Sequence, residues 1–258
     1  MSRYRTMMKT LAISGLLISA TSNGALAWEA ETVTERLKQL FAAQGIDLAW
    51  TGVSDDGSSI TIEDLKATPA DENRSVDLGT IVLEDVTEDD KNYQIGEVSL
   101  PSYESTSAKG SVSMQDISVS GLMLPKESTD DPLADVILYE SANLGGLQIS
   151  SQDTDVFTLS AIHVEMMPPA DDGTLEFTGA ADRFTLDIGA VTTQAKSRET
   201  LEKLGYSQIE GTVEMAGSWR PSDGRLMLSQ NDVTVASAGK LGLTLDLSGY
   251  TPWGASNG

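Results

Sequence analysis

The residue best suited to acid–base chemistry is His163, the only histidine in the 258-residue chain. In the stretch SAIHVEMMPP it alternates with Ile162, Val164 and Met166. Strand geometry puts these apolar residues on one face, and His163 with Glu165 on the other. One interpretation makes the pair a base and its orienting carboxylate. A triad also needs a placed nucleophile, and the chain has neither a GxSxG turn nor cysteine. We therefore predict an ordinary exposed histidine, no catalytic residues and no enzyme activity.

Carboxylates are the other abundant reactive groups. Asp153 and Asp155 could form a glycosidase-like pair, but sugar sites also need aromatic platforms, and the chain is only 5% aromatic. The acidic turns at residues 54–59 (SDDGSS) and 169–177 (PADDGTLEF) could bind calcium, yet neither has the spacing of an EF-hand loop. We predict no metal and no cofactor.

The charge of the chain restricts its partners. Its formal net charge is −22, and acidic residues gather in turn-like clusters. Such a chain repels phosphate backbones and anionic surfaces at long range, which excludes nucleic acid as a partner. The acidic clusters are typical of solvated turns.

The N-terminus has the organisation of a secretory signal peptide. Arg3, Arg5 and Lys9 precede an apolar stretch, and Ala25 and Ala27 form a small-x-small cleavage site. We predict that residues 1–27 are removed, that the protein is periplasmic, and that no transmembrane segment follows. Loss of the three cations takes the formal net charge from −22 to −25. Residues 28–250 are then expected to form a single β-rich domain, and 251–258 a flexible tail.

A helix is expected first in the mature chain. Its apolar face would carry Val33, Leu37, Leu40 and Phe41. Thr32 and Glu35 fit a capping box, and Gly45 fits the left-handed position that ends a helix. Two further short helices are predicted at residues 131–139 and at about 194–204.

A repeated apolar pattern fills most of the remaining chain. Two alternating apolar residues are followed by one extra residue and then two more. The copies are Ile60-x-Ile62-x-x-Leu65-x-Ala67, Tyr93-x-Ile95-x-x-Val98-x-Leu100, Val112-x-Met114-x-x-Ile117-x-Val119 and Phe157-x-Leu159-x-x-Ile162-x-Val164, with Ile81-x-Leu83-x-x-Val86 as a shortened copy. A straight strand would turn the second pair to the opposite face, so a bulge or corner is needed at each extra residue. The pattern predicts long, bent strands with one continuous apolar face.

The connections indicate antiparallel pairing. Three Asp-Gly pairs, at 56–57, 172–173 and 223–224, each precede an alternating run and are typical of two-residue hairpin turns. Near the C-terminus, the stretch GKLGLTLDLSGY at residues 239–250 alternates four leucines with small and polar residues, which predicts one strand with an aliphatic face. The fold class is therefore mainly β: a long bent antiparallel sheet, groove-like or closed as a sandwich, with an N-terminal helix and one or two further short helices.

The repeats in SVSMQDISVSGLML and SSITIEDLKATP, behind a signal peptide and a first helix, resemble those of AsmA-type envelope proteins. Residues 201–247 also resemble a helix-plus-meander unit of uncharacterised exported alphaproteobacterial proteins. The resemblance spans residues 58–247. It implies a curved β-sheet with a hydrophobic groove and a role in lipid handling at the outer membrane.

Two functions follow for an aliphatic face of this length, which must be covered in a soluble protein. In the first, the protein is a non-enzymatic periplasmic envelope protein that buries a lipid or another apolar ligand on its sheet. In the second, a closed β-sandwich serves as a protein-interaction or structural module, with an envelope protein as partner. The groove-lining candidates are Val112, Met114, Ile117, Val119, Phe157, Leu159, Ile162, Val164 and Met166.

Overall fold

The structure is a computed structural model that describes residues 28–71, 75–129, 133–151, 154–191, 199, 203, 205, 207–236 and 238–250. The predicted signal peptide and C-terminal tail therefore lie outside the described residues. Among these residues, the helices with defined bounds are α1 (Ala30–Ala43) and α2 (Ile188–Val191). The first seven strands are β1 (Ile46–Ala49), β2 (Gly52–Asp55), β3 (Ile60–Pro69), β4 (Val76–Glu88), β5 (Asn92–Leu100), β6 (Tyr103–Ser107) and β7 (Gly110–Pro125). The other seven are β8 (Ser141–Ser151), β9 (Thr154–Met166), β10 (Leu175–Asp187), β11 (Gln208–Arg220), β12 (Arg225–Val235), β13 (Gly239–Gly242) and β14 (Leu245–Leu247).

All fourteen strands form one open antiparallel sheet, in the order β1-β3-β4-β5-β7-β8-β9-β10-β11-β12-β13. Strand β2 pairs with β3, β6 with β7, and β14 with β12. The long strands thus form a meander, in which each pairs with its predecessor. This confirms the mainly β, antiparallel fold class. No second sheet is present among the described strands, so they do not close into a sandwich.

The predicted bends are present, because a left-handed residue interrupts four of the repeats. Asp64, Asp85, Asp116 and Ala161 have φ between 49° and 53°. On β3, Ile62 pairs with Ile81 and Leu65 pairs with Gly79, so three steps on β3 oppose two on β4. The resulting bulge returns Leu65 to the face that carries Ile60 and Ile62.

Helix α1 covers the part of this aliphatic face that lies on strands β3 to β5. Val33, Leu37 and Leu40 are buried against strands β3 to β5 and the end of β7, as the periodicity predicts. Gly45 has φ of 77° just after the helix, which confirms its predicted position. The capping box is wrong, because the helix begins at Ala30 after Glu29.

A buried arginine ties α1 to the chain between β7 and β8. The Arg36 guanidinium donates to the carbonyl of Pro125 and, over 2.9 Å, to the carbonyl of Ala134. Its Nη2 atom also lies 3.5 Å from the Asp135 carboxylate. Since a buried guanidinium needs partners for its N–H groups, these contacts fix the connection against the helix.

Several local predictions are wrong. In the described part of 131–139, a turn at residues 133–135 and a bridge from Leu138 to Met123 replace the helix. Most of the helix predicted at 194–204 lies outside the described residues. The Asp-Gly pairs do join antiparallel strands, but in loops longer than two residues, and only their glycines have positive φ. The leucine run is divided between β13 and β14 and separated at Leu243.

Candidate functional site

The candidate site is the part of the aliphatic face that α1 leaves uncovered, named here the open apolar face. Cross-strand register defines it, because directly paired residues point to the same side of a sheet. Met114 pairs with Leu147, Leu147 with Leu159, and Leu159 with Phe184. The neighbouring row runs from Ile117 through Leu144 and Ile162 to Ala181. All nine groove-lining candidates lie in these and adjacent rows, so the structure brings them together.

Left-handed residues hold the two halves of each strand on this face. Asp116 separates Met114 from Ile117, and Ala161 stands in the same place on β9. On β8, which lies between β7 and β9, Gly145 stands level with both bends. Its neighbours Leu144 and Gly146 pair with the residues on either side of Asp116 on β7 and of Ala161 on β9. The bends therefore align across at least three strands.

Burial distinguishes this face from the core. Val98 and Val119 are paired neighbours at the border of the two: Val98 is buried in the core under α1, and Val119 packs against that core but is partly exposed. The nine candidates are all partly exposed, whereas most core positions under α1 are buried. They are Val112, Met114, Ile117, Val119, Phe157, Leu159, Ile162, Val164 and Met166. The same residue types on the same face thus differ in whether another element covers them.

Strands β8 and β10 add members that the sequence analysis did not assign to the site. Leu144 and Leu147 come from β8, and Phe177 comes from β10. Ala181 and Phe184 of β10 continue these rows but are buried, as is Ile188 of α2. The signal on β10 is a copy of the repeat in which small residues replace two aliphatic ones: Gly179-x-Ala181-x-x-Phe184-x-Leu186. Because Gly179 and Ala181 carry little or no apolar side chain, the apolar pattern of this copy is weak.

His163 lies on the opposite, polar face, as predicted. Its Nδ1 atom contacts Oδ1 of Asn143, and Nε2 lies 3.0 Å from Oε1 of Glu165. His163 and Asn143 border a concavity of about 430 Å³ that Asp116 and Asp182 also line. Both ring nitrogens are thus engaged by neighbouring side chains, which is the geometry of a surface hydrogen-bond network rather than of a base facing a substrate.

The acidic turns use their carboxylates to hold the chain. Asp56 accepts hydrogen bonds from the backbone of Ser58 and Ser59, which lower the pKa of Asp56. Asp172 accepts from the backbone of Thr174, and hydrogen bonding there lowers its pKa as well. Asp155 is bonded to Gln148 and Ser150, whereas Asp153 lies outside the described residues. Within the described ranges, no cluster of three or more histidines and carboxylates is placed to hold a metal ion.

The C-terminal end of the sheet exposes large apolar side chains. This leucine edge, residues 239–250, contains β13 and β14. The exposed fractions are 72% for Leu241, 55% for Leu243, 42% for Leu247 and 48% for Tyr250. Since both strands pair only with β12 among the described strands, their outer backbone groups are unpaired within the sheet.

Among the described residues, no helix has the length and hydrophobicity needed to cross a membrane. Comparisons with family models, curated proteins and solved structures found no match. The resemblance to AsmA-type proteins stays a prediction.

Proposed function

We propose that the protein is a non-enzymatic periplasmic envelope protein that buries a lipid or similar apolar ligand on its open apolar face. The observation that carries the proposal is that Met114, Leu147 and Leu159 extend the aliphatic face beyond the part under α1 and are partly exposed. Soluble proteins rarely leave apolar surface of this extent in water. A ligand would supply the missing cover.

The dimensions suit an acyl chain. From β7 to β12 the face crosses six adjacent strands, or about 24 Å at roughly 4.8 Å per strand. One leaflet of a bilayer contributes about 15 Å to a hydrocarbon core of about 30 Å. An extended chain therefore fits across the strands. Methionines at positions 114 and 166 add flexible side chains that adapt to a variable ligand.

Charge narrows the ligand further. With a formal net charge of −22, the protein repels anionic headgroups at long range. The favoured ligand is therefore a lipid with a neutral or zwitterionic polar end.

Native mass spectrometry with lipid extraction tests this on the mature protein, purified gently from the periplasm of its host. We expect a stoichiometric lipid. The Leu159→Gln variant should retain less of it, because it places a polar group on the open apolar face. Thr158→Gln on the same strand faces the other side and is the matched control. A clean apo mass, with an unfolding transition that added lipid does not change, would overturn the proposal.

The alternative, a protein-interaction module, is favoured by a separate feature, the leucine edge. Its exposed backbone and side chains could receive a strand from another chain.

A further inference from the structure

We propose that the leucine edge pairs with the same edge of a second copy, joining two sheets around a two-fold axis at Leu243. The contact does not depend on what the open apolar face binds. Four exposed large apolar residues are concentrated in ten positions of this acidic chain: Leu241, Leu243, Leu247 and Tyr250. The edge consists of two short strands, and the Leu243 N–H between them donates to the Asn231 carbonyl over 2.9 Å, so the edge follows β12 across the break. An apolar, unpaired edge is a template for another strand.

Charge complementarity selects the partner and the register. Lys240 and Asp246 are the only charged residues of the edge, and they lie on the same face. In an antiparallel pairing centred on Leu243, Lys240 of each copy lies opposite Asp246 of the other copy. A shift by one residue in either direction removes both pairs. Leu241 then meets Leu245, and Leu243 meets its own copy.

The existing ion pairs extend this complementarity. Lys240 Nζ lies 2.6 Å from the Asp232 carboxylate, and Arg225 Nη2 lies 2.9 Å from that of Asp246. Across the contact, the charges would alternate in the order Arg225, Asp246, Lys240 and Asp232, the last two from the second copy. Each charge would have opposite charges as its nearest neighbours, which favours association.

The other end of the sheet does not offer such a match. Strands β1 and β2 carry Asp47 and Asp55 and no cation, so two copies of that edge repel each other. Helix α1 also packs beside those strands. Pairing through the leucine edge is closed by symmetry, and it leaves the two acidic edges far apart.

The contact also preserves the two faces of the sheet. A two-fold axis perpendicular to the sheet brings polar face beside polar face and apolar beside apolar. The open apolar face would therefore continue from one copy into the other.

Single-cysteine cross-linking tests the register directly, since the chain has no cysteine of its own. Opposite Cα atoms in an antiparallel pair lie about 4.5–5.5 Å apart, within the range of a disulfide. Leu243→Cys should therefore give a covalent dimer under mild oxidation. Leu241→Cys is the matched control, because it is more exposed but would lie roughly 13 Å along the strand from its own copy. Equal or faster cross-linking of Leu241→Cys would overturn the proposed register.

Sedimentation of the cysteine-free protein tests association itself. We expect a reversible monomer–dimer equilibrium, and about tenfold or more weaker association for Lys240→Glu, which removes two symmetric ion pairs. Lys109→Glu changes the net charge equally at an exposed site elsewhere on the sheet and should leave association unchanged. Circular dichroism confirms that each variant is folded. A monomer throughout the dilution series overturns the proposal, as does equal weakening by both variants.

Discussion

Asp116 on β7 stands against Gly145 on β8, and a Cβ atom added to Gly145 would lie 2.8 Å from the Asp116 Cβ. The same relationship recurs between β4 and β5, where a Cβ on Gly96 would lie 2.9 Å from that of Asp85. A left-handed aspartate on one strand is therefore accommodated by a glycine on the next. The glycine is part of the bend, although the apolar pattern does not include it.

Gly145→Ala should lower the free energy of unfolding by about 1–3 kcal/mol, because β8 and the Asp116 side chain must move apart to make room for the added methyl group. Gly146→Ala is the control, since its added Cβ would meet nothing closer than the Leu159 carbonyl at 3.9 Å. We expect that change to be neutral or slightly stabilising. Urea unfolding followed by circular dichroism measures both. Equal effects would show that the bend does not need the glycine.

Ala161 occupies the left-handed position that aspartate occupies in three other bends, with φ of 49°. Alanine has no side-chain oxygen to offset the strain, whereas asparagine tolerates this conformation. Ala161→Asn should raise the free energy of unfolding by about 0.5–1 kcal/mol. Ala180→Asn, on the neighbouring strand with ordinary φ, should not stabilise. A gain from both variants would instead indicate a general effect of a polar surface residue.

Loss of the Arg36 side chain should detach the β7–β8 connection from α1. Arg36→Met leaves the carbonyls of Pro125 and Ala134 without their donors, which costs about 2–4 kcal/mol. Glu35→Met, on the exposed side of the same helix, should change stability by less than about 0.5 kcal/mol. Hydrogen exchange should show Leu138 and Met123, which share a backbone bridge, exchanging faster only in the Arg36 variant.

Acid titration should identify Asp223 as an unusually strong acid. Arg220 donates to both of its carboxylate oxygens, over 3.0 and 2.6 Å, and this lowers the pKa of Asp223 from 3.8 to about 2. A lowered pKa stabilises the fold above pH 3.8, and that contribution is lost as the pH falls through about 2. NMR titration should show this midpoint, and Arg220→Gln should return it towards 3.8. Arg183→Gln should leave the midpoint of Asp223 unchanged. A shift of the midpoint in that variant would show that the net charge of the protein, and not the contact with Arg220, lowers the pKa.

The sequence was sufficient for features that repeat locally. Alternation with one extra residue predicted both the antiparallel strands and their bends, because side-chain direction depends only on the backbone of neighbouring residues. The face of α1 followed from its period in the same way. Arg36 could also have been identified, since it lies three residues after Val33 and four before Leu40, within the apolar stripe.

Coverage of a face depends on distant parts of the chain and was not predictable. Leu243 and Leu40 both occupy regular apolar patterns, but Leu40 is buried between α1 and the sheet, whereas Leu243 is 55% exposed. The capping box was wrong for a similar reason. The Trp28 indole donates to the Val86 carbonyl over 2.8 Å, a contact across 58 positions that accompanies an earlier helix start.

The meander has a consequence for how the chain matures. Every long strand pairs with one made just before it, so contacts are local along the chain and the sheet can elongate in the order of synthesis. Helix α1 and strands β3 to β5 form the buried core, and we expect each later hairpin to pair with the edge that is already present. A partly synthesised chain therefore differs from the finished one mainly in which strand is outermost. Among the described strands, the last ones, β13 and β14, keep an outer edge that can accept another strand.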